Sequence, residues 1–200
     1  GVSRVVVSPS CPCLLRLAAV AAAQPPQGEY QPAIAGASDE AAQAIGGFKP
    51  AEGLEVQLYA AEPLLANPVA FCFDDQGRCY AAQTCRQQKG VEDNRRHMNW
   101  LDADLAAETV KIPADFEKFL GDKLSGYGQE HDRIRRLVDT DGDGRADTAT
   151  VFADGFNDPL DGTGAGVIVR GDDVYYACIP HLWRLRDLDG DGRADQREIL

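Results

Sequence analysis

The nonapeptide Asp139–Asp147, DTDGDGRAD, returns 48 residues later as Asp187–Asp195, DLDGDGRAD. Each copy sits inside a larger unit that also recurs. In the first unit Pro68–Phe73 reads as a strand, Asp74–Gly77 as a tight turn and Arg78–Gln83 as a second strand. Ile134–Val138 is a third strand, the acidic loop follows, and Thr148–Phe152 is a fourth. The second unit repeats the order: Gly166–Arg170, a turn at Gly171–Asp173, Val174–Cys178, Leu182–Arg186, the second acidic loop and Arg197–Leu200. Four-stranded antiparallel units at a period of about 40–50 residues are the mark of a β-propeller. The expected fold class is all-β: a partial propeller of about two four-stranded blades, with a partly helical insertion. Two blades do not close a ring, so further blades are expected after Leu200. The competing arrangement is a sandwich with two similar hairpins.

The propeller segment is expected over residues 48–200. Its first unit carries an insertion, residues 84–132, between the second and third strands, where the second unit has only Ile179–His181. Within the insertion a helix is expected from Pro113 to Leu120, with Phe116, Phe119 and Leu120 on one side. Upstream, residues 24–47 read as a linker and a short helix, Ser38–Ile45, capped by Ser38 and ended by Gly46 and Gly47. Leu54–Leu58 alternates and is expected as a strand.

In D-x-D-x-D-G-x-x-D, side chains at positions 1, 3, 5 and 9 and the carbonyl at 7 can converge on one hard cation, and glycine at 6 permits the sharp turn. The first copy offers Asp139, Asp141, Asp143, the Arg145 carbonyl and Asp147; the second offers Asp187, Asp189, Asp191, the Arg193 carbonyl and Asp195. Crowded carboxylates repel unless a cation sits among them, so Ca²⁺ is the expected ligand. Glu198 stands where an EF-hand places its twelfth-position ligand, against Thr150 in the first copy. The flanks read as strands, which favours Ca²⁺ loops in β-hairpins over an EF-hand. A metal-free Asp/Gly turn is the plain alternative.

The chain has 200 residues, a net charge of −12 and 44% hydrophobic side chains, enough for a folded core. Residues 139–200 hold 14 Asp and Glu against 6 Arg, a net of −8. That balance argues against nucleic acid and anionic membranes as partners. No stretch reaches the roughly 18 apolar residues of a membrane span. Residues 1–23 read as an export signal, with Arg4, an apolar run and Ala21-Ala22-Ala23, so a periplasmic or cell-surface location is expected. An initial Gly1 and a final Leu200 inside a strand read as a fragment. Cys11 and Cys13 would leave with the signal, and no C-x-x-C-H is present. If Phe73–Arg78 is a hairpin, Cys72 and Cys79 are either a cross-strand disulfide or two small buried thiols.

At RLVDTDGDGRADTATVFADGFNDPLDGTGAG and VYYACIPHLWRLRDLDGDGRAD the chain resembles the N-terminal propeller of the membrane-bound dehydrogenase proteins, also called PVC-type haem-binding proteins. GLEVQLYAAEPLLANPVAF and DNRRHMNWLDADL fit the same family, and the resemblance spans about residues 48–200. These proteins are similar to glucose/sorbosone dehydrogenases, which use pyrroloquinoline quinone and calcium. The resemblance implies export, further downstream domains of the same chain and haem only in a C-terminal cytochrome domain. It implies an exported oxidoreductase acting on a sugar or alcohol; the other reading is a non-catalytic, Ca²⁺-stabilised propeller that binds carbohydrate or protein.

In a meander, connections alternate between the two ends of the strands. The tight turns and acidic loops therefore share one end. The insertion, the Phe156–Gly164 link and Ile179–His181 share the other. His97, His131 and His181 gather at that second end as candidate catalytic groups, with His181 the leading one, and Asn157, Asp158 and Asp161 as candidate cofactor-binding groups. Trp100 and Trp183 read as core or sugar-stacking rings.

Overall fold

A computed structural model describes residues 30–109 and 119–200. The export signal and most of the helix expected from Pro113 lie outside the described residues. Helix α1 (Glu40–Ile45) has Asp39, not Ser38, at its N-cap and ends at Gly46, which keeps a right-handed φ of −59° and donates its N–H to Gln43 O at 3.2 Å. Ser38 assists with its Oγ, which accepts from Glu40 N at 3.4 Å. No helix among the described residues is long and apolar enough to cross a membrane.

Two four-stranded antiparallel sheets follow. The first runs β1 (Pro68–Phe73), β2 (Cys79–Gln83), β3 (Asp132–Val138), β4 (Thr148–Phe156) in that order. The second runs β5 (Gly164–Arg170), β6 (Asp173–Cys178), β7 (His181–Arg186), β8 (Gln196–Ile199). Local chemistry fixes the β1–β2 turn: Asp74 Oδ1 accepts from Gln76 N and Arg78 N, both at 2.9 Å, and Gly77 takes a positive φ of 78°. The sheets pack face to face through Tyr80, Ile134, Phe152 and Phe156 on one side and Val174, Tyr176 and Leu185 on the other. Sheet one buries its far face as well: Cys79, Ala81, Leu137 and Ala146 pack against Tyr59, Ala60, Leu64 and Leu65. Burial on both faces explains why Cys79–Ala82 is apolar throughout, without alternation.

Of the two states left open for Cys72 and Cys79, the structure has free thiols, because the register pairs Phe73 with Cys79 and Cys72 with Tyr80. One residue of offset puts the two side chains on opposite faces. Leu54–Leu58, expected as a strand, forms no ladder; the segment is tied to the first acidic loop by Ala146 N donating to Tyr59 O at 2.8 Å. The alternation is present, but no described strand lies beside it.

Candidate functional site

The two acidic loops share one construction. Asp139 accepts from Gly142 N at 2.7 Å and Gly144 N at 2.8 Å, and Asp187 accepts from Gly190 N and Gly192 N at the same distances. Asp147 takes Thr140 N and Asp195 takes Leu188 N, closing each loop across its base. In each loop three carboxylates, Asp139, Asp141 and Asp147, or Asp187, Asp189 and Asp195, bring one oxygen apiece within 4.8 Å of the others. Asp143 and Asp191 do not join them. Each turns back to cap its own loop, accepting from Arg145 N and Arg193 N at 2.8 Å. Hard oxygen donors at this spacing suit Ca²⁺. The loops join β-strands, and Glu198 is held by Arg184 instead of by the loop, so the EF-hand reading is set aside.

Asp139 is held below the usual carboxylate range, first by the Gly144 N–H and then by the Gly142 N–H. With its native pKa lowered, this one carboxylate's contribution to stability is fully present above the ordinary carboxylate pKa. It is lost as pH falls through the lowered value.

The opposite end of the strands carries a cleft of about 430 Å³. The insertion supplies Glu92, Asn94, Trp100 and Asp104, the β4–β5 link supplies Leu160, Asp161 and Gly162, and the β6–β7 connection supplies Ile179 and Pro180. The insertion holds Asn94–Arg96 and Met98–Trp100 as 3₁₀ turns, helix α2 (Leu101–Leu105) and a 3₁₀ segment Gly121–Gly126. Trp100 is buried among Leu120 and Tyr127 and stacks on Phe119, with ring centroids 5.6 Å apart. Glu92 accepts from the Tyr127 hydroxyl at 2.6 Å, and its carboxyl lies below the usual range because of that bond. The Asp161 carboxyl is pushed above its usual range by burial. A carboxylate shifted this way inside a cleft marks Asp161 as a candidate site residue.

The three histidines share that end but not the cleft. His97 stacks on Trp100 at 4.0 Å and pairs with Glu92 Oε2 at 3.0 Å. His131 pairs through Nδ1 with Asp154 at 2.8 Å and stacks beneath Tyr30. His181 opens β7, edge-on to Trp183, and lies within electrostatic reach of Asp161. Each ring has its own partner, and none lines the cleft. Asn157 donates to Gly128 O at 2.6 Å, and Asp158 accepts from Leu160 N at 2.8 Å, so both shape the link. Of the residues singled out in the link, only Asp161 lines the cleft.

The model of the domain of unknown function DUF7133 matches residues 40–200. The chain belongs to the DUF7133 family. No curated protein and no solved structure matches it. The matched segment of this DUF7133 chain takes in both acidic loops, the insertion and the cleft.

Two further residues frame the cleft from below, and neither carries a sequence signal. Arg86 is fully buried and spreads its guanidinium over four backbone carbonyls: Asp158 at 2.8 Å, Asp161 at 3.0 Å, Gly162 at 3.3 Å and Gly90 at 3.3 Å. It thereby pins the link to the insertion. Asp132, also fully buried, accepts from Cys85 N at 3.0 Å and Arg86 N at 3.4 Å with one oxygen, and from Gly164 N at 2.8 Å with the other. It ties the end of β2 to the start of β5.

Proposed function

We propose that this chain is part of a calcium-braced β-propeller that binds a small hydroxylated molecule, a sugar or alcohol, in the cleft opposite its acidic loops. The observation that carries this is the composition of the cleft wall. A buried indole, Trp100, stands beside Glu92, Asn94, Asp104 and Asp161. Sugars present apolar C–H faces and a rim of hydroxyls; Leu160 and Ile179 offer the apolar contact and the carboxylates with Asn94 the polar partners, while the Trp100 ring, stacked on His97 and Phe119, backs the wall. Equilibrium binding of a panel of mono- and disaccharides and polyols, followed by Trp100 fluorescence, tests this. Asp104→Ala, at an exposed position of the cleft wall, should weaken the best ligand about 10-fold, about 1.4 kcal/mol, without moving the unfolding midpoint by more than a few degrees. Unchanged affinity in that variant would remove the cleft from consideration.

The raised pKa of Asp161 favours a second, catalytic reading of the same cleft. Asp161 would take the hydroxyl proton of a bound alcohol; a quinone such as pyrroloquinoline quinone, which the resemblance to sugar dehydrogenases suggests, would supply the hydride acceptor when bound. Dye-linked oxidation assays on the quinone-supplemented natural chain, with Asp161→Asn as control, distinguish this reading from binding alone.

In the same proposal the acidic loops take Ca²⁺ for stability, far from the chemistry. Calorimetry should show about one Ca²⁺ per loop, and chelator should lower the melting temperature. At a Ca²⁺ concentration of 100 times Kd, each site contributes about 2.7 kcal/mol. Asp141→Ala with Asp189→Ala should abolish the chelator effect. A titration without heat above the dilution baseline would reduce the loops to turns.

A further inference from the structure

The second core cluster is half of an interface that the first shows complete. The register places Cys79 opposite Leu137, as Val174 lies opposite Leu185. The two sheets can therefore be superposed residue by residue: Cys79 on Val174, Ala81 on Tyr176, Leu137 on Leu185, Ala146 on Ala194. In sheet two these residues pack against Phe152 and Ala153 of the preceding sheet's last strand, β4. In sheet one they pack against Tyr59 and Ala60. The backbone repeats the match. Ala194 N donates to Phe152 O at 2.7 Å, and Ala146 N donates to Tyr59 O at 2.8 Å. Two residues earlier, Thr150 lies against Gly192 and Gln57 against Gly144. The sequences agree too: Val56-Gln-Leu-Tyr-Ala60 sits where Ala149-Thr-Val-Phe-Ala153 sits one sheet later.

Residues 56–60 thus hold the position of a fourth strand with no sheet behind it. In an extended chain the backbone groups of neighbouring residues point to opposite edges. Tyr59 O faces the acidic loop, so the N–H and C=O of Leu58 and Ala60 face the other edge. Among the described residues they meet no partner there. In β4 the equivalent residues, Val151 and Ala153, pair with Arg135 and Ile134 of β3. The apolar surface around this edge is also half-covered: Phe71 and Phe73 stay 66% and 50% exposed, whereas their counterparts in β5, Val167 and Val169, pack into the inter-sheet core.

We infer that residues 56–60 are the outermost strand of a third sheet, whose three inner strands are a further copy of this repeat carried by the same polypeptide after Leu200. Described residues 30–53 contain α1 and no strand, so the inner strands do not come from there. A chain that lends its first strand to its last sheet closes a ring and removes both free edges. This rests on the propeller reading above. It adds which residues make the closure and what they pair with: a strand of the β3 type, with an apolar face like that of Tyr80, Ala82 and Ile134 laid over Phe71 and Phe73.

Hydrogen exchange on the natural full-length protein, compared with the monomeric 200-residue chain, tests the inference. The Leu58 and Ala60 amides should exchange at least 100-fold more slowly in the full-length protein. Leu58→Pro, which deletes one donor, should depress the melting temperature of the full-length protein well beyond its effect on the 200-residue chain. Equal exchange rates in the two forms, protection only in dimers of the 200-residue chain, or a natural chain ending at Leu200 would each overturn it. Radical footprinting of Ile168 on the far face of sheet two reads the propeller separately. If Ile168 becomes covered while Leu58 and Ala60 stay open, the ring stands and closes elsewhere; if both stay open, both readings fall.

Discussion

Arg86→Met should lower the unfolding free energy by roughly 3–5 kcal/mol, the largest loss expected from a single polar side chain here. Methionine fills much of the volume, so packing is a small part of the loss. What disappears is one group that satisfies four carbonyls at once, those of Gly90, Asp158, Asp161 and Gly162. Leaving one buried acceptor bare costs about 1–3 kcal/mol. The sum is discounted because relaxation lets water reach some of the four, and because burying a guanidinium carries its own desolvation cost. Arg86→Lys should recover little, since a single ammonium cannot span carbonyls contributed by two separate segments. The same variants should lose cleft ligands, because three of those carbonyls belong to residues of its wall, Gly90, Asp161 and Gly162. Urea unfolding of the natural chain gives the stability change from the midpoint at constant slope. A loss below about 1 kcal/mol would mean that the link keeps its shape without the arginine.

This pin shows which parts of the molecule sequence reasoning reaches. The hairpins were legible because alternation, Asp74 and Gly77 are local signals that local chemistry obeys. The acidic loops were legible for the same reason, down to the glycines at their turns. Arg86 was not, since its partners lie up to 76 residues away and are backbone atoms that no pattern marks. Asp132 is the same case, reaching 47 residues back to Cys85 and 32 forward to Gly164. The alternating topology put the insertion, the link and the short β6–β7 connection at one end, and the cleft lies where those three meet. It could not rank the side chains there. Histidines stand out by chemistry, yet none lines the cleft: His97 stands behind its wall on Glu92 and Trp100, His131 pairs with Asp154, and His181 lies edge-on to Trp183, whereas the Glu92–Tyr127 pair carries no sequence signal. The choice between a Cys72–Cys79 disulfide and two free thiols turned on one residue of register, which inverts a side chain's face and which no local signal in the sequence fixes.

Gly164→Ala should be nearly as damaging as loss of Arg86, for a steric reason that the sequence also hides. Gly164 opens β5 in the core between the sheets, directly under the ring of Tyr176. A Cβ built there falls on the phenol oxygen and Cζ, far inside the 3.0 Å that real contacts respect, with Cε1 at 3.2 Å. Neither side can yield easily. The Gly164 amide is fixed by Asp132 at 2.8 Å, and Tyr176 is fully buried, with Phe156 packed against it at 4.6 Å. Overpacking a rigid core costs about 1–3 kcal/mol and occasionally more, and this site belongs at the upper end. Tyr176→Phe gives the discriminating background. The Tyr176 hydroxyl is buried with no hydrogen-bond partner among the described residues, so its removal alone should be neutral or slightly stabilising. Placing Gly164→Ala on that background removes the worst clash and leaves the one with Cζ. The two changes should therefore couple favourably by roughly 1–2 kcal/mol in a double-mutant cycle. Additive effects, or a Gly164→Ala cost below about 1 kcal/mol, would show that β5 and the Tyr176 ring can separate, and the close approach would then not be what demands a glycine there.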